Sequence, residues 1–210
     1  MKNLIERIKS LKGYSRFNSI PSRIFLDTNV LQYLQDFGEY IFDNYRESKE
    51  YFQCSRKTIC KGERLFNEIE ALHDIFININ RTNFEFSLSP AVYHEVEKKG
   101  DTHFVSWFND VWEHWEAVVS EYENREAFSP LSEKRYKKAV IDKSLSGSFS
   151  TDDNKIVLAA IRNDCNALLT VDKFAKDQNK KIYVFIKYEL MILTPVELIE
   201  LIKPYQALWC

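Results

Sequence analysis

Five carboxylates stand where short apolar runs give way to helical spacing. Asp27 closes the run Arg23-Ile24-Phe25-Leu26 and is followed by Thr28-Asn29 before apolar positions resume at Val30, Leu31 and Leu34. Glu95 comes after the alternating run Phe84-Glu85-Phe86-Ser87-Leu88 and the cap-like pair Ser89-Pro90. Asp172 ends the apolar run that starts at Asn166, and Asp152-Asp153 precede the helical stretch Ile156 to Ile161. An apolar run of this kind suits a parallel strand covered on both faces. In open α/β sheets, ligands bind beyond the carboxyl ends of such strands. Acids delivered there by separate elements would repel one another unless a divalent cation neutralises them. Oxygen ligands without thiolate or imidazole suit Mg²⁺ or Mn²⁺. Such a centre suits phosphodiester hydrolysis, because the ion activates water and stabilises the leaving oxygen. The plainer alternative is that Asp27 or Thr28 only caps a helix. One of Asp152 and Asp153 could likewise be a cap, but two adjacent carboxylates exceed what capping requires.

The elements that must position these acids are readable in outline. Residues 1–20 have the spacing of a short amphipathic helix. A strand is expected at 23–27, a helix at about 29–35, and a further helix at 63–76. Residues 36–62 alternate aromatic and charged side chains without a clean period, which predicts helical turns and loop in an insertion or lid. A strand at 84–88 ends at Ser89, an N-cap, with Pro90 in the first helical turn. Phe104 to Tyr122 carries an aromatic stripe at helical spacing, which favours core over base stacking. Glu133 to Lys143 is a basic helical stretch, and Lys134, Arg135, Lys137 and Lys138 are its candidate contacts to a nucleic-acid backbone. A solvated helix face explains them equally well. Ser144 to Ser150 reads as a flexible connector. Strands are expected at 166–172, Tyr183–Ile186 and 191–193. A final helix opens on Thr194-Pro195-Val196-Glu197, with Glu197 at the capping-box position. The alternation predicts an α/β fold, with a mainly parallel sheet between helices.

With 210 residues, 45% of them hydrophobic and 14% aromatic, the chain can bury a full core as one domain spanning 1–210. The motif core falls at about 23–35, 84–97 and 151–202, with helical insertions at about 36–83 and 98–150. A lid, a substrate platform or a partner surface are uses open to those insertions. Net charge is -2, so any nucleic-acid surface must be a local patch. No apolar run is long enough to span a bilayer and no signal core is legible, which predicts a cytoplasmic, membrane-free protein. The four cysteines, Cys54, Cys60, Cys165 and Cys210, lack a usual zinc or redox spacing; a zinc site of Cys54, Cys60 and His73 is a weak alternative to free thiols.

The ordered motifs resemble the PIN domain family of metal-dependent ribonucleases. Ile24-Phe25-Leu26-Asp27-Thr28-Asn29 looks like its first motif, and Leu88-Ser89-Pro90 followed by Glu95 like its second. Asp153 followed by Ile156 and Leu158-Ala159-Ala160 resembles the third, and Leu169-Thr170-Val171-Asp172 the fourth. Leu193-Thr194-Pro195 is similar to the close of such domains. The resemblance implies a three-layer α/β/α sandwich and Mg²⁺ or Mn²⁺ in an acidic pocket. It also implies in-line attack of water on RNA, with Asp27, Glu95, Asp153 and Asp172 as catalytic metal ligands. Asp152 competes with Asp153 for its role, and Glu97 is off-phase for that of Glu95. Thr28, Asn29 and Thr170 would orient the carboxylates. A toxin of a toxin–antitoxin pair, with an antitoxin-like protein inhibitor and a homodimeric state, is implied by the toxin members. A haloacid-dehalogenase-type phosphatase needs a second acid two residues after the first, where this chain has Asn29. The alternative to an enzyme is a catalytically inactive PIN-like scaffold that binds RNA or a protein.

Overall fold

In the computed structural model the described residues are 20–42, 63–78, 84–123 and 130–204. Four strands form one parallel sheet: β1 (Arg23–Leu26), β2 (Glu85–Ser87), β3 (Ala167–Leu169) and β4 (Met191–Leu193), in the order β2-β1-β3-β4. Ile24, Phe25, Leu26 and all of β3 and β4 are buried, as a strand covered on both faces requires.

Among the described residues ten helices pack on this sheet: α1 (Thr28–Asp36), α2 (Gly38–Phe42), α3 (Glu63–Ile77), α4 (Pro90–Lys99), α5 (Thr102–Glu123), α6 (Pro130–Val140), α7 (Lys143–Ser148), α8 (Thr151–Arg162), α9 (Gln178–Tyr188) and α10 (Pro195–Ile202). They fall into groups: α3 packs on α2 and α10, whereas α8 packs on α4, α6 and α7. This grouping is consistent with a sheet between two helical layers. No helix among the described residues is long and apolar enough to cross a membrane.

The predicted insertions contribute to the core. Tyr40, Ile41, Ile69, Leu72 and Ile75 are buried, so α2 and α3 belong to the body of the fold. Within α5, Phe104 and Phe108 are fully buried, and Trp107, Trp112 and Trp115 pack half-buried against them. The expectation of core for the first half of the aromatic stripe therefore matches this packing. The expected helix at 1–20 lies outside the described residues, as do Cys54 and Cys60. His73 sits beside the Tyr40 ring, with Nδ1 3.0 Å from the Tyr40 carbonyl oxygen.

Two expected elements are different. Tyr183–Ile186 is not a strand; it lies inside α9. Its apolar run is part of a helical face, because Lys181, Val184, Phe185 and Tyr188 are the buried positions. Asp177 caps that helix by accepting from the amides of Asn179 and Lys180, and Glu189 ends it at φ 58°. Ser144–Ser150 is not a loose connector either, because α7 fills most of it. Asp142 accepts from the Ser144 amide at its start, and Leu145 is wholly buried as its anchor. Ser-rich composition masked two buried side chains, Leu145 and Phe149, and the caps Asp142 and Ser150.

Candidate functional site

The register of the sheet brings four polar side chains to one level. Phe25 pairs with Ser87, Leu26 with Leu169, and Leu169 with Leu193. One residue beyond Leu26, Leu169 and Leu193 stand Asp27, Thr170 and Thr194, and two beyond Ser87 stands Ser89, all buried. The amide of Asp27 donates to the Leu169 carbonyl at 3.1 Å, and that of Thr170 to the Leu193 carbonyl at 3.0 Å. Three of the four also begin helices: Asp27 is the N-cap of α1, Ser89 of α4 and Thr194 of α10. The polar row is thus where the chain leaves the sheet, and its side chains look out over the carboxyl edge.

Asp27 is held from two sides. Its Oδ1 accepts from the Thr28 amide at 2.8 Å and its Oδ2 from the Thr170 hydroxyl at 2.5 Å. Only 3% of the residue is exposed. Burial pushes the carboxyl up to about 7; the Thr170 bond opposes this, and the charges of Asp172 and Glu95 add to it. Capping accounts for only one of its two oxygens, so the plain N-cap reading is incomplete.

Glu95 and Asp172 are oriented by the residues next to Asp27. The Thr28 hydroxyl donates to Glu95 Oε2 at 2.6 Å, and Asn29 Nδ2 donates to Asp172 Oδ1 at 2.6 Å. Ser89 accepts from the Ala91 amide at 3.2 Å and starts α4, with Pro90 in its first turn; Glu95 then falls on the second turn, facing the sheet edge. The Asp172 amide donates to Thr170 Oγ1 at 3.1 Å, so Thr170 ties both acids together. Burial raises Glu95 and Asp172 above the usual carboxylate range, with Asp152 adding to the first and Asp153 to the second. The acids therefore share one electrostatic neighbourhood.

Asp152 and Asp153 are told apart by their partners. Asp152 pairs with Lys98 at 3.1 Å and with Lys155 at 3.0 Å, which lowers its carboxyl below the usual range. Asp153 lies half-buried, with its amide donating to the Ser150 hydroxyl at 3.1 Å. Glu97 is exposed and lies 3.5 Å from His94, away from the acids. Asp152 is thus the ion-paired member of the first pair, and Glu95 the member of the second that meets Thr28.

The basic helix stands elsewhere. Arg135 is bound to Asp164, with Glu189 Oε2 at 3.5 Å, and Arg162 lies over the Tyr136 ring. These contacts set Arg135 and Tyr136 beside the end of α8 remote from Asp153, roughly 14 Å away along the helix axis, while α6 packs along α8. Lys134 and Lys138 are exposed, and Lys137 pairs with Glu133 at 3.1 Å. The lysines that do border the acids are Lys98, Lys99 and Lys155, which the sequence did not single out. Their signal was present in the spacing: Lys98 and Lys99 lie three and four residues after Glu95, one helical turn on.

No family model, curated protein or solved structure matches this chain. What the site can do rests on its own chemistry. The donor set is all oxygen, one member is deeply buried with its proton affinity raised, and three uncharged donors fix the carboxylates. That chemistry fits a hard divalent cation. Among the described residues no three acidic, His or Cys side chains are already spaced to hold one, and Asp27, Glu95 and Asp172 are each turned to a protein donor. A cavity of about 560 Å³ opens at the same edge, beside the end of β4, between Arg64, Glu68, Lys176, Thr194 and Glu197. Asp27, Glu95, Asp153 and Asp172 do not line it, and the hydrogen-bonded constellation is the better guide to chemistry.

Proposed function

We propose that this chain is a Mg²⁺- or Mn²⁺-dependent ribonuclease of the PIN type, hydrolysing RNA phosphodiesters at the carboxyl edge of its sheet. The observation that carries the reading is the convergence of Asp27, Glu95 and Asp172. Each comes from the segment that follows a different strand, Glu95 from the second turn of α4, and each is held by its own donor from Thr170, Thr28 or Asn29. Capping requires no such set.

In this reading the fold is a three-layer PIN-like sandwich, and Asp27, Glu95, Asp153 and Asp172 hold the metal directly or through water. Bound there, the ion would supply an activated water and stabilise the leaving oxygen. The protein's own residues orient the ligands: Thr170 and the Thr28 amide fix Asp27, the Thr28 hydroxyl fixes Glu95, and Asn29 turns Asp172. Burial keeps bulk water from Asp27 and strengthens every charge interaction around it. A cytoplasmic setting, a toxin role with an antitoxin-like inhibitor, and a homodimer belong to this reading as its further expectations.

One observation favours a second reading, a PIN-like scaffold that binds RNA or a protein without cleaving it. The carboxylates are satisfied within the protein as they stand and do not form a ready cage. Purified protein incubated with single-stranded RNA in Mg²⁺, Mn²⁺ or EDTA, beside Asp27→Asn, separates the two. The ribonuclease reading expects cleavage in divalent ion, none in EDTA, and a loss of more than about a hundredfold in the variant. A calorimetric Mn²⁺ titration with no binding to either protein would leave only the scaffold.

A further inference from the structure

An acidic pocket that receives a polyanion needs positive charge at its rim, and Arg135 of the basic helix α6 is committed to Asp164, past the far end of α8. The nearest ammonium groups come from the last turn of α4. Gly100, at φ 69°, terminates that helix in the left-handed conformation, and the chain turns at once into α5. Lys98 and Lys99 are thereby set beside the acids, where the helix C-terminus also favours cations.

The two lysines differ in how their charge is used. Lys98 is spent on Asp152, which also takes Lys155. Lys99 donates to Asn29 Oδ1 at 3.0 Å and to Gln32 Oε1 at 2.7 Å, and its ammonium lies 5.6 Å from the centre of the buried Phe104 ring. All three partners are uncharged. They fix the direction of an exposed ammonium that makes no direct ion pair, although its charge lies close enough to Asp172, Glu95 and Asp36 to draw each of those carboxyls down. Asn29 is the same side chain that donates to Asp172, so Lys99 stands one residue away from the acidic centre.

We propose that Lys99 is the principal RNA-positioning residue, contacting the phosphate backbone of the strand that enters the acidic pocket. Lys98 and Lys155, shared through Asp152, extend the same rim. This inference rests on the ribonuclease reading only for the identity of the polyanion. A phosphate displaces the Gln32 contact and keeps the ammonium, whereas a carboxylate-paired lysine would first have to break an ion pair.

The test is binding of fluorescein-labelled single-stranded RNA by anisotropy in EDTA across a salt series, beside cleavage kinetics in Mn²⁺. Lys99→Gln is expected to weaken binding roughly tenfold and to reduce the steepness of log K against log salt by about 0.7, the share of one phosphate contact on a single strand. KM should rise with kcat retained, and Lys99→Arg should restore most of the affinity and the slope. An unchanged slope in Lys99→Gln overturns the proposal. So does a slope lost in Lys134→Gln/Lys138→Gln instead, which would move the RNA track to α6. Weakened Mn²⁺ binding in Lys99→Gln with normal RNA binding would mean that Lys99 only props Asn29, and also overturns it. Wild type that binds RNA with the Lys99-dependent slope but never cleaves it would sink the ribonuclease reading and leave this one standing. Wild type that cleaves while Lys99→Gln keeps its slope would do the reverse, and wild type that binds no RNA overturns the rim outright.

Discussion

Thr170 and Asp27 stand level at the ends of neighbouring strands, and the buried Thr170 hydroxyl donates to Asp27 Oδ2 at 2.5 Å. The same Thr170 oxygen accepts from the Asp172 amide. One hydroxyl therefore sets the direction of one acid and the backbone position of another. Thr170→Val keeps the shape but removes the donor. A buried carboxyl left without it should cost about 1–3 kcal/mol in chemical denaturation. Asp27 should also titrate higher in the variant, because the Thr170 bond lowers it. Unchanged stability and titration would mean that the bond is not made in solution.

The proton on Asp27 gives a pH dependence with a definite sign. In the folded, metal-free protein this carboxyl is pushed up to about 7, whereas an unfolded aspartate titrates near 4. Between those values the folded state binds more protons than the unfolded state, so stability falls as pH rises from about 4 to about 7. Thermal melts in EDTA should show the melting temperature declining across that window, with Asp27→Asn flattening the decline. A melting temperature that climbs over the same range would contradict the burial of this group.

Asp142 has the opposite sign. Its Oδ2 accepts from Lys187 Nζ at 2.6 Å and from the hydroxyls of Tyr183 and Tyr188, so Lys187 first and then the tyrosines hold it well below the usual carboxylate range. Its stabilisation is present above about pH 4 and is lost as the solution is acidified further. Asp142→Asn should destabilise the protein at pH 7 by about 2 kcal/mol, since charge-assisted bonds become neutral ones. The same variant should blunt acid unfolding below pH 4, measured by circular dichroism.

Lys181 is entirely buried, and its ammonium lies 2.5 Å from both oxygens of Glu197. Glu197 also accepts from the Thr194 amide at 2.9 Å and completes the capping box of α10. Glu197→Ala strands a buried cation and uncaps a helix, and should cost about 3–5 kcal/mol. Lys181→Met/Glu197→Gln should cost much less, because an apolar side chain replaces the cation and Gln preserves the cap. Equal losses in urea titration would show that the ion pair itself, which both variants lose, and not the stranded charge, dominates.

The adjacent pair on α8 separates by function. Asp153→Asn should abolish the proposed metal-dependent cleavage, whereas Asp152→Asn should chiefly alter RNA affinity by releasing Lys98 and Lys155. Single-turnover kinetics against RNA concentration distinguishes the two effects, and the reverse pattern would reassign the ligand to Asp152.

Local signals carried much of this molecule. Apolar runs ending in polar residues marked the four strands, because a buried parallel strand must be apolar until it leaves the sheet, although the third ends at Leu169 and not at Asp172. The caps at Ser89 and Thr194, with proline behind each, were legible for the same local reason. The sequence also nominated Asp27, Glu95, Asp152, Asp153 and Asp172, and the folded chain brings these acids into one electrostatic neighbourhood. What remained hidden depends on neighbours distant in the chain. A four-residue apolar run at Tyr183–Ile186 fits strand or helix equally, and the burial of Lys181 and Tyr188 along one face makes it helical. The fate of Ser144–Ser150 turned on Leu145 finding a place in the core. Composition could not tell Arg135, committed to Asp164, from Lys99, held beside the acids by amide oxygens and an aromatic ring. Charge type is written in the sequence, but whether a charge is neutralised or left available is decided only when tertiary packing supplies its partners.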